Sequence, residues 1–353
     1  MSRPPAEPVA STPAALPRPR SSCPVPPAVL PHARTGLVAA CREVVRLLPA
    51  LLAQAARVYP RGEPAWLGRR ARFLASALRH PRAHRALVDF LSRPPFDAVL
   101  QRHPRLLQKV HKPFPYRGLD VPARVALVAR HYVLARERLG PALHDAVAQG
   151  RELVFCHVAL PAGRGTLPVH LGKHVRFERE GELTLSLMDP FGSLLYSACF
   201  TLVDGERPGD VALLVGSLNG TAPRDVLRHI TKLSHGVRPA SLMVFLLQQV
   251  AAAAQAGAMR AVGRETHAYW GHPRHGRILF DYDAFWLEEG GEARPDGLFS
   301  LPAAPRRRDA SDTPAQKRAQ YARRYAWLDE VAADARQRWA ALGDDRGARE
   351  GGP

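Results

Sequence analysis

The pattern of apolar and polar positions divides the chain into two parts near residue 150. From about residue 36 to residue 150, apolar residues recur at intervals of three and four with arginine between them, a spacing typical of amphipathic helices. Prolines mark the boundaries between the helical segments. The clearest segments are LVAACREVVRLLPALLAQAARVY, PAWLGRRARFLASALRH and PARVALVARHYVLARERLG. We therefore predict a helical region over residues 34–150.

Beyond this region the apolar period shortens to two, which is typical of β-strands. Four runs follow one another: ELVFCHVAL, PVHLGKHVRFE, ELTLSLMD and SLLYSACFTLV. The sequence Pro190-Phe191-Gly192 separates the last two runs and predicts a hairpin connection. Residues 211–218 supply a further strand. Consecutive short strands joined by turns predict an antiparallel sheet.

The stretch from Gly216 to Trp286 departs from this meander. The strand over residues 211–218 is followed by predicted helices at 223–234 and 239–256, and then by predicted strands at 258–263 and 278–282. This order predicts a β-helix-β crossover. The fold class is therefore α+β, with an N-terminal helical region followed by a mixed, mainly antiparallel sheet that contains the crossover.

Composition adds the ends of the chain to this picture. Residues 1–33 are rich in proline without apolar periodicity, which predicts a disordered tail. The remaining units are the helical region at 34–150, the α/β core at 151–302, a basic loop and C-terminal helix at 303–342, and a disordered end at 343–353.

The formal net charge of +18 is concentrated in the first half of the chain. Residues 1–150 carry 24 Lys and Arg against 8 Asp and Glu, whereas residues 151–300 carry 15 against 16. A basic field attracts nucleic acid, anionic lipid or acidic proteins, and charge alone does not choose among them. Only five of the 50 basic residues are lysine, which fits a coding bias toward arginine equally well.

Metal and export signals are weak in this sequence. The four cysteines have the spacing of neither a disulfide framework nor a zinc site. His267, His272 and His275 are not spaced as ligands one helical turn apart, so we predict that they lie on a surface loop. The N-terminal residues lack the order of a secretory signal, and no apolar run is long enough for a transmembrane segment. We expect a cytoplasmic location, with peripheral association at the inner membrane as the alternative.

Seven motifs between residues 110 and 340 carry a resemblance to a known family. They are HKPFPYRGLDVPARVALVARHYVL, EGELTLSLMD, GSLNG, HGVRP, FDYDAFW, DGLFSLP and KRAQYARRYAWLDE. On these motifs the chain resembles the VirK/YbjX family of bacterial proteins, a domain family without an assigned biochemical activity. The resemblance implies a protein linked to the cell envelope, to virulence and to tolerance of cationic antimicrobial peptides.

The order of elements also resembles the acyl-CoA N-acyltransferase (GNAT) superfamily. This resemblance implies an N-acyltransferase-like core over residues 151–302, with acyl-CoA or another acyl thioester as the small acyl donor. In such folds the helix after the central strand binds a pyrophosphate through its free N–H groups. This chain differs in having one glycine in the loop and an additional helix at 223–234.

The sequence His235-Gly236-Val237-Arg238-Pro239 precedes the second helix of the crossover. We predict His235 as a catalytic base, because an imidazole titrates near neutral pH. We predict a cofactor-binding cradle, in which Arg238 adds a bidentate phosphate contact. Its members are Gly236, Val237, Arg238 and Asn219. The alternative is an ordinary helix cap, with Arg238 paired to an acidic neighbour and Asn219-Gly220 forming only a turn.

Two further groups complete the predicted site. Tyr269 follows the strand at 258–263, where its hydroxyl would protonate a leaving thiolate, although a core aromatic is the alternative. Asp281, Tyr282 and Asp283 are predicted to bind a substrate amine. The alternative for this segment is a helix start capped by Asp283.

The densest basic group lies on the predicted helices and consists of Arg69, Arg70, Arg72, Arg79, Arg82 and Arg85. We predict that it binds an anionic membrane surface or lipopolysaccharide. The group lacks the interleaved aromatic residues of a single-strand nucleic-acid platform, so nucleic acid is the less favoured partner.

Three hypotheses follow from these patterns. The first is an acyltransferase-like enzyme that acts at the cell envelope. The second is a non-catalytic accessory protein that binds the envelope or a partner through its basic helical surface. The third is a nucleic-acid-binding protein.

Overall fold

The computed structural model describes residues 37–272, 278–307 and 314–350, with side chains for residues 48–272, 278–307 and 314–342. The predicted tail at 1–33 and His275 lie outside these residues. The N-terminal helices are α1 Leu37–Val58, α2 Trp66–Arg79, α3 Pro81–Leu91, α4 Asp97–Arg102, α5 Leu106–Lys109, α6 Val121–Leu134 and α7 Pro141–Ala148. This part of the chain confirms the predicted helical region.

The sheet follows directly. Its strands are β1 Leu153–Ala159, β2 Thr166–Gly172, β3 Leu183–Met188, β4 Leu194–Asp204, β5 Val211–Gly220, β6 Ala258–Val262, β7 Glu292–Ala293 and β8 Leu298–Leu301. Helices α8 Arg224–Leu233 and α9 Pro239–Ala253 connect β5 to β6, α10 Tyr282–Glu288 precedes β7, and α11 Ala315–Glu350 follows β8.

The described strands form one sheet in the order β1-β2-β3-β4-β5-β6-β8-β7. All neighbours pair antiparallel except β5 and β6, which pair parallel because two helices carry the chain back to the same end of the sheet. The predicted mixed, mainly antiparallel sheet and its crossover are confirmed, as is the hairpin between β3 and β4. Helix α11 continues past its predicted end at residue 342.

Two strand predictions are wrong. Residues 278–282 form no strand, because Asp281 accepts a hydrogen bond from Ala284 N at 3.2 Å and so caps α10. The outer edge of β6 pairs with β8 instead. The run at 168–178 is also shorter than predicted, since β2 ends at Gly172 and a loop follows.

One continuous core joins the helical region to the sheet. Helix α6 packs against β4, and α9 packs against β3, β4, β5 and β6. Helix α11 packs against β1 and α9. Leu87, Phe114, Phe200 and Trp286, from four distant parts of the chain, are all buried in the same apolar cluster. Among the described helices, none combines the length and apolar character needed to cross a membrane.

Candidate functional site

The central strands carry a row of polar side chains on a buried face. Thr184, Cys199 and Ser217 are directly opposite one another across β3, β4 and β5, and Ser186 is opposite Ser197. All five are buried. Alternation of polar and apolar residues usually marks a sheet with one solvated face. Here the polar side chains are buried, so this row lies inside the protein.

The parallel pair β5 and β6 diverges at one end. The two strands pair from Ala212 to Val215, and β5 then continues alone to Gly220. Tyr282 occupies the resulting gap. Its hydroxyl donates to Leu218 O at 3.0 Å and accepts from Leu218 N at 3.2 Å, and the side chain is fully buried. The backbone groups that a ligand would use there are therefore bonded within the protein.

A glycine brings a buried carboxylate to this gap. Gly216 is the extra residue of a β-bulge in β5, opposite Cys199 and Phe200. A Cβ placed at Gly216 would lie 1.6 Å from the Glu180 carbonyl oxygen, so only glycine admits this approach. The Asn219 amide Nδ2 donates to Glu180 Oε2 at 3.2 Å and to Ser217 Oγ at 2.9 Å.

His267 lies on the other side of Glu180. Its Nε2 is 3.4 Å from Glu180 Oε1, and its ring stacks on Tyr282 with centroids 5.2 Å apart. Because Nδ1 accepts from Tyr269 N at 3.2 Å, the imidazole proton resides on Nε2, which lies near the carboxylate without a hydrogen bond to it. The prediction that His267 lies on a surface loop is wrong, since its side chain is buried and its backbone forms a β-bridge with Tyr116.

Burial sets the protonation of this pair. Burial raises the pKa of Glu180 to about 7, against which hydrogen bonds from Ser217 and Asn219 act only in part. Burial also lowers the pKa of His267 to about 4. Near neutral pH the carboxyl group therefore exchanges a proton while the imidazole stays neutral, which is the condition for general acid–base chemistry.

Tyr269, the predicted acid, lies beside this pair. The Arg179 guanidinium is centred 4.4 Å from the Tyr269 ring, and Arg179 donates to Ala268 O at 3.3 Å. Burial raises the pKa of the Tyr269 hydroxyl, which keeps it protonated.

His235, the predicted base, lies in a different environment. It has a positive φ of 50° at the end of α8, and its ring lies 6.3 Å from Trp327 of α11. Its carbonyl accepts two hydrogen bonds from the Arg324 guanidinium, at 3.0 and 3.2 Å. The contacts of His235 are thus with the last helix, whereas those of Tyr269 are with the surroundings of Glu180.

The groups of the predicted cofactor cradle are also engaged within the chain. Gly236 N donates to Thr231 O and Val237 N donates to Ser234 O, both at 2.9 Å, so these amides close the end of α8. Arg238 forms an ion pair with Glu288 at 2.8 Å and lies over the Phe285 ring.

The predicted substrate-binding carboxylates bind backbone amides. Asp281 caps α10, and Asp283 Oδ1 accepts from Arg264 N at 2.8 Å. Tyr282 between them points into the gap beside β5. The carboxylates therefore fix the start of α10 and the turn after β6.

The predicted basic group is divided between tethered and exposed members. Arg69 forms an ion pair with Glu63 at 3.3 Å, and Arg70 donates to Tyr59 O at 2.8 Å. Arg85 forms a solvated pair with Asp89 at 3.6 Å. The exposed members are Arg72, Arg79, Arg82 and Arg85.

A second polar centre lies two residues from Glu180. Glu182 is completely buried and contacts two ammonium groups, those of Lys109 at 2.9 Å and Lys173 at 2.6 Å. The Tyr132 hydroxyl donates to the same carboxylate at 3.0 Å. Burial lowers the pKa of Lys109 to about 7, although Glu182 acts against this shift.

This centre forms the floor of a cleft of about 220 Å³ between the helical region and the loop after β2. Its charged lining consists of Arg57, Arg102, Arg105, Lys109 and Lys173 together with Glu63 and Glu178. We call it the basic cleft.

The sequence patterns missed Glu180, Glu182, Lys109 and Lys173. One signal was present. The segment Glu180-Gly181-Glu182 precedes a strand that alternates leucine with Thr184 and Ser186, and it lies in the middle of the predicted sheet. Polar residues in a central strand indicate a buried polar site, because a central strand is normally covered on both faces once helices pack on it.

A family model described as "Protein of unknown function (DUF535)" matches residues 63–337, most of the chain. The chain belongs to this family. The uncharacterized protein YbjX of Escherichia coli (strain K12) is 28% identical over 269 residues, which cover 74% of this chain and 81% of that protein. An uncharacterized protein of Haemophilus influenzae is 24% identical over 217 residues, which cover 61% of this chain and 70% of it. The predicted VirK/YbjX membership is therefore confirmed.

Three of the seven VirK/YbjX-like motifs meet at the two polar centres. EGELTLSLMD supplies Glu180 and Glu182, and GSLNG supplies Gly216 and Asn219. FDYDAFW supplies Tyr282, whose hydroxyl bonds Leu218 in the gap between β5 and β6 and whose ring stacks on His267. Motifs that are far apart in this VirK/YbjX-family chain thus form one contiguous buried region.

Proposed function

We propose that this VirK/YbjX-family protein is a non-catalytic accessory protein that binds an anionic envelope surface, phospholipid or lipopolysaccharide, through helices α2 and α3. One observation carries the proposal. Residues 66–91 contain six arginines and a single acidic residue, Asp89, and four of the arginines are exposed. Arg72 and Arg79 are seven residues apart and so project from the same face of α2.

The state of the crossover supports an accessory function over a catalytic one. Tyr282 fills the gap between the diverging strands, and the Gly236 N–H and the Arg238 guanidinium have partners within the chain. An acyl donor would have to displace these contacts. Cationic antimicrobial peptides bind the same anionic envelope groups, so a protein that covers those groups would compete with such peptides.

Vesicle co-sedimentation tests this proposal. Vesicles of phosphatidylglycerol and phosphatidylethanolamine should bind the protein, and binding should weaken with salt because the charges are exposed. The double variant Arg72→Glu/Arg79→Glu should bind at least about tenfold more weakly, since each basic group near an anionic surface contributes about 1 kcal/mol.

The matched control is Arg207→Glu/Arg224→Glu, which makes the same charge change at exposed positions outside the helical region. Its binding should stay within about twofold of the parent protein. Equal binding by the parent and the α2 variant rejects the proposal. If the parent protein binds duplex DNA but no vesicles, and the α2 variant loses the DNA binding, the same surface binds nucleic acid.

A second candidate is an acyltransferase-like enzyme that uses acyl-CoA or another acyl thioester. Its support is the strand order, in which a parallel pair with a helical crossover lies within an antiparallel sheet, as in an N-acyltransferase-like core. The acid–base pair of Glu180 and His267 lies beside the gap, with Tyr269 next to it. In this candidate Glu180 acts as the base and Tyr269 as the acid.

Calorimetry with acyl-CoA tests the second candidate. Tyr282→Phe removes the hydroxyl that bonds Leu218 N and O, so these groups become free to pair with a bound thioester arm. The variant should bind acyl-CoA more tightly than the parent. If neither protein gives a binding signal or a thermal shift with millimolar acyl-CoA, the enzyme hypothesis is removed.

A further inference from the structure

The basic cleft has more positive than negative charge at its floor and mouth. Lys109 and Lys173 share the single carboxylate of Glu182, and their side chains are 1% and 6% exposed. With both lysines protonated, this group of two ammonium ions and one carboxylate carries one net positive charge, although the ammonium groups also donate to the Gly181 and Glu182 carbonyl oxygens. Removing such a charge from water is costly unless a counter-charge lies near it.

Two guanidinium groups at the mouth have no partner in the part of the chain that the structure describes. Arg57 and Arg102 are exposed and line the basic cleft, and neither forms a hydrogen bond or ion pair with the described side chains. Arg105 differs, since both oxygens of Glu63 lie within 3.1 Å of it. The cleft is therefore lined by two arginines without an ion-pair partner among the described residues, and the guanidinium of Arg102 lies against Gly150.

The charges can be counted group by group. Lys109, Lys173, Arg57 and Arg102 supply four positive charges. Glu182 and Glu178 supply two negative charges, and Arg105 shares the carboxylate of Glu63 with Arg69. With Lys109 in its ammonium form, these groups together carry an excess of at least two positive charges, which would balance a phosphate monoester dianion.

We propose that the basic cleft is a binding site for a phosphate monoester group, attracted by the buried charge of Lys109 and Lys173 and contacted by Arg57 and Arg102. Its volume of about 220 Å³ fits this ligand. That space corresponds to roughly seven water molecules, enough for a phosphate and the first atoms attached to it but not for an acyl chain. The proposed ligand is therefore either a small polar phosphate monoester or the phosphate end of a larger molecule.

The lysine pair makes the site sensitive to pH. The titratable groups around Lys109 are Glu182, Lys173, Glu178 and His131. Burial lowers the pKa of Lys109 to about 7, and a bound dianion favours the ammonium form. Affinity should therefore fall as the pH rises above about 7, because the ligand must then add a proton to Lys109.

Calorimetry on the full chain tests the site with glycerol 3-phosphate, a soluble phosphate monoester. The parent protein should bind it, and Arg57→Ala/Arg102→Ala should bind it at least about tenfold more weakly because two charge-assisted contacts are lost. The matched control is Arg93→Ala/Arg228→Ala, two exposed arginines outside the cleft. No binding by the parent, or equal weakening in the control, overturns the proposal.

Two further arms sharpen the result. Sulfate stays a dianion between about pH 6.5 and 8.5, so its affinity should be about tenfold weaker at about pH 8.5 as Lys109 loses its proton, and an unchanged affinity counts against the lysine floor. Vesicles of phosphatidic acid distinguish a lipid source of the phosphate from a soluble one. The site depends on Arg57 and Arg102, whereas the proposed membrane binding depends on Arg72 and Arg79, so each can fail alone.

Discussion

Glu180 and Glu182 have opposite electrostatic environments although one residue separates them. Burial raises the pKa of Glu180, and the hydrogen bonds from Ser217 and Asn219 and the charges of Arg179 and Arg176 offset this rise only in part. Burial acts in the same direction on Glu182, but Lys109 and Lys173 outweigh it and hold that pKa well below its usual range. The same side chain is thus a proton-exchanging group in one position and a permanent anion in the other.

Replacement of Glu180 should change how stability depends on pH. Its pKa is about 7 in the folded state against 4.5 ordinarily, so the folded state binds more protons between these values. The free energy of unfolding should therefore fall as the pH rises from about 4.5 to 7, by about 2 to 3 kcal/mol from this group. Glu180→Gln removes this fall, which urea unfolding at about pH 5 and about pH 8 measures.

The control for this measurement is Glu265→Gln, since Glu265 is exposed. Its pH dependence should match that of the parent protein. A parent slope that survives in Glu180→Gln would mean that another group carries the titration.

At the level of helices, strands and turns, local chemistry explains which predictions held. The hairpin at Pro190-Phe191-Gly192 and the two crossover helices were predictable because their signals are local. The strand predicted at 278–282 failed because Asp281 caps a helix there, a function that the sequence pattern assigns to Asp283. An apolar run of five residues does not by itself distinguish a strand from a helix start.

The β-bulge in β5 requires glycine at position 216, and one substitution tests this requirement. In Gly216→Ala the new Cβ would collide with the Glu180 carbonyl, and backbone cannot move aside as a side chain can. We expect a loss of at least about 3 kcal/mol in the free energy of unfolding.

Gly68→Ala is the matched control for Gly216→Ala. Gly68 lies inside α2, where a Cβ would have no heavy atom within 4 Å, so alanine should stabilise the helix by up to about 1 kcal/mol. Thermal or urea unfolding of both variants measures the difference. Equal stability of the two variants would mean that the segment around Glu180 yields easily.

Across the whole molecule, charge and burial are linked. The basic half of the chain packs its helix α6 against β4 and supplies Lys109 to the buried Glu182. Its outer side carries exposed Arg72 and Arg79. The helical region therefore contributes both to a buried polar site and to the basic surface. The predicted division of the chain into separate units at residue 150 did not anticipate this double contribution.

Patterns among residues close together in the sequence were sufficient to predict the VirK/YbjX family, the helical first half, the mainly antiparallel sheet and the parallel crossover. These depend on short motifs, apolar periods and turn residues. The burial of His267 against Glu180 and the pairing of Lys109 with Glu182 became visible only in the folded molecule. These partners are more than seventy residues apart. A pKa depends on which groups surround a side chain in space, and no local pattern of residues specifies them.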